Sequence, residues 1–175
     1  MSVAPSTFVI DLAALGVLSD GPAGLDAVCR HVQSVCRPWL APTGCVVHDR
    51  VIAALGAGWV AVDDAEGLTL TAAGRARLRA LLLEPVDAAA HGLLPLIETL
   101  KLALADALDA DGRQRLRHEL VALRTRCLEA QADVDGEGPA LVRRCRERRR
   151  RAATLAHQAL AREFDRCDGA VYAVS

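Results

Sequence analysis

Thr43, His48, Asp49 and Arg50 fall within about two helical turns of one another, and their side chains are of kinds that read nucleic acid. A guanidinium such as that of Arg50 can bond a guanine edge through two parallel hydrogen bonds, or hold a phosphate. Thr43 can cap a helix and bond a phosphate. His48 is a further exposed polar position on the same helix, whereas Asp49 is a poor neighbour for a phosphate. Arg30 and Arg37 upstream, and Arg75 further along, add cations for backbone contacts. The plain alternative is that all of these are solvated residues on a helix face.

Other chemistries have weaker footing. The cysteines are Cys29, Cys36, Cys45, Cys127, Cys145 and Cys167, and none forms a C-x-x-C pair. Cys29 and Cys36 share a helix face, with Cys45 and His48 close in sequence, which would suit a thiol- or metal-responsive regulator. The spacing of a zinc motif is absent, so no metal site and no cofactor are assigned, and buried, reduced thiols are the simpler reading. The run Arg143, Arg144, Arg146, Arg148, Arg149, Arg150 and Arg151 would wrap most of a helix. It reads as a solvated face whose stems cover a dimer seam and pair with Glu119, Glu129 or Glu147; a nucleic-acid or membrane-surface role is the alternative. No P-loop, G-x-S-x-G, H-E-x-x-H or paired-carboxylate signature is present, which argues against an enzyme.

These residues need elements to hold them. Phe8, Leu12, Leu15 and Leu18 share one helical face after a cap at Ser6 or Thr7, and Asp20-Gly21-Pro22 ends that helix. Leu25, Val28, Val32 and Val35 mark a second helix over about residues 23–35, stopped at Arg37-Pro38. Val47, Val51, Ala54 and Leu55 mark a third, beginning after Pro42-Thr43-Gly44 and ending at Gly56 and Gly58. Residues 59–62 and 68–70 then alternate as short strands around the polar turn 63–67. Thr71 caps a fourth helix over residues 72–83. Three helices, a two-stranded wing and a fourth helix predict a winged helix-turn-helix. Beyond Pro85, apolar stripes predict helices over residues 93–108, 113–133 and 140–164. Three such stripes exceed what a small lobe can hide, which predicts a homodimer. Its seam is assigned to Ile97, Leu100, Leu104, Leu116, Leu120, Leu123, Leu155 and Leu160. The fold class is therefore mostly α: a winged-helix domain, residues 1–84, followed by a three-helix dimerisation domain, residues 85–175.

Composition bounds the reading. The chain has 175 residues, of which 52% are hydrophobic but only 3% aromatic, so the core must be Leu, Ala and Val. Lys101 is the only lysine. Net charge is −1, so the chain as a whole has no pull on phosphate backbones. Residues 1–84 carry six Arg against eight Asp and Glu, leaving the acidic balance on the lobe expected to touch DNA. No secretory signal and no uncharged apolar run of membrane-spanning length is seen, which predicts a cytoplasmic protein without membrane contact.

Three stretches resemble the PadR family of winged-helix regulators, in its longer form with a helical C-terminal domain. They are residues 15–24 (LGVLSDGPAG), residues 59–78 (WVAVDDAEGLTLTAAGRARL) and residues 96–131, with residues 140–164 fitting the final helix. The chain departs from the family pattern at Leu25 and at His48, where tyrosines are usual, and in the acidic wing residues Asp63, Asp64 and Glu66. The resemblance implies a cytoplasmic homodimer that binds DNA and regulates transcription, as a repressor. A small-molecule effector would sit between the lobes or at the dimer seam, against Trp39 or Trp59 if these are not simply core residues. The acidic wing supports a second reading, a protein-interaction adaptor on the same fold that no longer binds DNA.

Overall fold

The computed structural model describes residues 4–37, 39–63, 67–86 and 92–132, with separate helical positions between 141 and 162. The first helix, α1 (Pro5–Ser19), is entered from Ala4, two residues before Ser6, the nearer of the expected caps. Ala4 precedes it without a side-chain cap, and Pro5 supplies the fixed φ that suits a first helical position. Phe8, Val9, Ile10, Leu12, Ala13, Ala14 and Leu15 are all buried, so α1 is apolar around nearly its whole circumference. A helix of that kind belongs at the centre of a fold. α1 accordingly packs against α2 (Leu25–Cys36), α3 (Gly44–Gly56), α4 (Ala72–Leu83), the second strand and α5 (Leu94–Ala103). Burying each fully covered leucine, such as Leu12 or Leu15, contributes about 1.5–3 kcal/mol.

α2 is amphipathic and buries Val28, Val32 and Cys36, one turn apart. It ends at Arg37, whose extended backbone (φ −69°, ψ 143°) is what a following proline demands. α3 buries Val47, Val51 and Ala54. Strands β1 (Val60–Asp63) and β2 (Gly67–Leu70) form an antiparallel hairpin, with Val60 opposite Leu70 and Asp63 opposite Gly67. The other edge of β2 is tied to the α1–α2 connection. Ala23 N–H donates to the Leu68 carbonyl at 3.0 Å, and Leu68 N–H donates back to Ala23 at 2.9 Å. Gly67, at φ +92°, closes on the Ala23 carbonyl, where a Cβ would come within 3.1 Å.

The start of α4 is built by Thr71. Its side-chain oxygen accepts from the Gly74 N–H at 3.0 Å and its hydroxyl donates to the Gly58 carbonyl at 2.7 Å. Helix cap and hairpin entry thus share one side chain. The fold is mostly helical with a small two-stranded antiparallel sheet, in the helix–helix–helix–hairpin–helix order of a winged helix.

The helix expected over residues 93–108 ends early. α5 stops at Ala103, and a 3-10 turn, Ala105–Ala107, follows. Leu104 lies over Gly16 of α1, so close that a Cβ there would meet its Cδ1 at 2.7 Å. Of residues 109–112, expected as a break, 110–112 instead open α6 (Ala110–Ala132), capped by the Asp109 carboxylate, which accepts from the Gly112 N–H at 2.8 Å.

Contacts divide the chain into two compact units, Met1–Leu116 and Arg117–Ser175. The first therefore extends past the expected boundary at Glu84. α5 packs on α1, and the fully buried Lys101 donates from Nζ to the Glu84 carbonyl at 2.6 Å, 6.0 Å from the Phe8 ring centroid. The expected last helix, residues 140–164, lies largely outside the described residues. Among those described, no helix is long and apolar enough to cross a membrane.

Candidate nucleic-acid interface

α3 turns one stripe to the core and the rest to solvent. Thr43 stands at its N-cap, exposed, accepting from the Val46 N–H at 3.4 Å. His48 and Asp49 are exposed beside each other, with Nδ1 and Oδ1 3.6 Å apart. Val46 and Ile52 complete the outward face at 44% and 48% exposure, with Cys45 also exposed. Arg30 and Arg37 lie exposed on α2 and at its end.

Arg50 stands differently from the expectation. Its guanidinium is closed on Asp11 of α1, Nε to Oδ1 at 2.7 Å and a terminal nitrogen to Oδ2 at 2.6 Å. Asp11 is only 8% exposed. Hydrogen bonding to Asp11 raises the guanidinium pKa further, against the opposing effect of burial. The two-pronged geometry that would recognise guanine is thus spent inside the protein, locking α3 to α1. The sequence hid this because Asp11 lies 39 residues earlier, in an otherwise apolar helix.

Arg75 also has a local partner. It is exposed at the start of α4, and one terminal nitrogen donates to the Leu70 carbonyl at 2.8 Å. With Arg79 it lines a cleft of about 560 Å³ bounded by the α1–α2 turn, β2, α4 and the end of α5. Sequence reasoning did not find this cleft, because it forms only where α5 stops and the 3-10 turn bends past α4.

On the hairpin, Asp63 is exposed and Val62 is 66% exposed, while Asp64 and Glu66 lie outside the described residues. Trp59 is half-buried, with the Arg77 guanidinium 5.3 Å from its ring centroid. Trp39, expected more readily in the core, is 43% exposed beyond the end of α2, where the chain has already left the helix.

The residues assigned to a dimer seam separate into two groups. Ile97, Leu100, Leu116, Leu120 and Leu123 are buried within a single chain, so none needs a partner to leave water, and Leu104 is half-buried. Leu155 is 65% exposed, as is Leu141 at 66%; Leu160 lies outside the described residues. Of the arginine run, Arg144, Arg148 and Arg151 are described and exposed, and Arg151 pairs with Glu147 one turn away.

Cys29, Cys36 and Cys45 are free thiols, half-buried, buried and exposed in turn. Burial pushes the Cys36 thiol pKa up, and burial followed by the charge of Asp26 does the same to Cys29. Among the described residues, no group of three His, Cys, Asp or Glu side chains is placed to hold a metal ion.

No family model and no curated protein matches the sequence. Among solved structures, the chain is similar to the crystal structure of Bacillus subtilis PadR. The TM-score is 0.42 and the identity 16%, over 91% of this chain and 97% of that one.

Proposed function

We propose that the chain is a PadR-like transcription regulator, a cytoplasmic repressor that binds DNA as a homodimer through α3. The observation that carries this reading is the placement of α3. It follows α2 across a short turn, is capped at Thr43, and keeps Thr43, His48 and Asp49 in solvent rather than in the core. In a winged helix that is the helix that enters the major groove. Thr43 and His48 face the bases, and Arg37 with Arg30 holds phosphate. Arg50 positions the helix from behind through Asp11, and Arg75 is engaged at the cleft. Residues 1–84 form the DNA-binding part and residues 85–175 the dimerisation part. The seam lies along Leu141 and Leu155, whose exposure leaves them in need of cover.

With only Arg30 and Arg37 assigned to phosphate on each protomer, the salt dependence of binding should be shallow. Two phosphate contacts per protomer give a log–log slope of about −4 for a dimer. Fluorescence anisotropy with duplex from the promoter of the chain's own gene tests this across a salt series. Binding that weakens with salt, and that is reduced in H48A and R37Q, supports the reading. No binding at the lowest salt overturns it.

The second reading, a protein-interaction adaptor, is favoured by one observation. The outward face of α3 carries Val46, Ile52 and Cys45, and its one arginine is turned inward to Asp11. Loss of DNA binding together with a folded dimer would be the adaptor's signature.

A further inference from the structure

The cleft beside α4 carries charges of both signs that do not neutralise one another. Arg75 and Arg79 line it from one helix, and Asp20 and Asp106 line it from the α1–α2 turn and the 3-10 turn. Each guanidinium is tethered to backbone. Arg75 donates to the Leu70 carbonyl at 2.8 Å, and Arg79 donates through Nε to the Ala107 carbonyl at 3.0 Å. Those tethers use one donor of the five on each side chain and hold the others ready in the cleft. Neither aspartate is engaged by either arginine. Leu104, Pro22 and Ala103 supply accessible apolar lining, over a floor of the buried Leu18 and Leu78. At about 560 Å³ the cleft is of a size that holds a small organic ligand.

We propose that this cleft binds an apolar zwitterion, a large aliphatic amino acid or a short apolar peptide. Its carboxylate is taken by Arg75 and Arg79, its ammonium group by Asp20 and Asp106, and its side chain by Leu104, Pro22 and Ala103. Charge pattern selects this class. A simple anion would gain from the guanidiniums but face two carboxylates, and a simple cation would meet the reverse, so either leaves half of the cleft's charge unmatched. A molecule carrying both charges meets a partner at each end. The site goes beyond the reading of α3 and does not depend on it, since its occupancy is measured without DNA.

Calorimetric titration of the full chain with L-leucine and L-leucyl-L-leucine tests the proposal, with N-acetyl-L-leucine, L-leucinamide and octanoate as single-charge controls. At least one of the two zwitterions should bind, and each single-charge control should bind at least about tenfold more weakly, the loss expected for one charge-assisted contact. R79Q and D106N should each weaken zwitterion binding to a similar extent. A103W places an indole in the cleft from an exposed position and should abolish binding, with the circular dichroism spectrum confirming an intact fold. The proposal is overturned if neither zwitterion binds at millimolar concentration. It is equally overturned if octanoate or L-leucinamide binds as well as the zwitterion, or if folded A103W binds as the unsubstituted chain does.

Discussion

A Cβ on Gly74 would stand 2.0 Å from the carbonyl oxygen of Trp59. No real pair of atoms tolerates that distance, and the neighbour is backbone, which cannot rotate away. G74A must therefore push α4 off the hairpin, and should cost about 3 kcal/mol or more, at the upper end of overpacking. A fall in the urea midpoint at unchanged slope would confirm it. An unchanged midpoint would show that α4 and Trp59 are not this close.

Thr71 and Thr43 both cap helices, but their substitution should differ. Thr71 accepts the Gly74 N–H at 3.0 Å and also donates to the Gly58 carbonyl, while the Thr43 cap bond is long, at 3.4 Å, and exposed. T71A should cost about 1–2 kcal/mol and T43A about 0.5 kcal/mol. The same denaturation series measures both, and equal losses would count against the dual role of Thr71.

Removing Arg50 leaves a buried Asp11 without this partner, and removing Asp11 leaves a partly buried guanidinium without its carboxylate. D11N and R50Q should each cost about 2–3 kcal/mol. That is less than the 3–5 kcal/mol, roughly, of a fully buried pair, because the Arg50 side chain keeps 30% exposure. Coupling in the double mutant should be large, and D11L with R50M should recover part of the loss. Additive single losses would show that the pair does not act as a unit.

Among the described residues, the three thiols should react in order of exposure. Cys45 should be alkylated first, Cys29 more slowly, and Cys36 only as the chain unfolds, as peptide mapping after iodoacetamide treatment would show. The sign of the pH effect follows from the raised pKa values of Cys29 and Cys36. Their protonated forms are favoured in the folded state, so their contribution is full below the ordinary thiol pKa. It is lost as pH rises from there through the folded value, because the unfolded chain ionises first. Stability in mildly alkaline solution should fall less in C36A than in the unsubstituted chain.

Local rules made the first half of the fold legible. Val28 and Val32 on α2, the Thr71 cap and the β1–β2 pairing all depend on signals a few residues long, and these elements formed close to where spacing placed them; Val35, expected on the same stripe, is instead 41% exposed, because α2 turns Cys36 to the core in its place. The errors came where distant residues decide. α5 was read as one helix through Leu108, yet Gly16, far back in the chain, sets the approach at which Leu104 leaves it. Arg50 read as a base-reading residue because nothing local reveals that Asp11 will reach it. Ile97 and Leu100 are assigned to a seam by their stripe alone, and a stripe does not say whether its cover comes from the same chain or another; here a single chain already buries both. The cleft needed four elements brought together before any of its residues had a common purpose.

Lys101 is the only lysine of the chain and is fully buried, its amine spent on the Glu84 carbonyl. The folded surface consequently offers no side-chain amine. Acetyl transfer, isopeptide tagging and amine-directed cross-linkers all lack a lysine to attack while the native state persists. Any such mark found on Lys101 would report that α5 had first come away from α1 and α4.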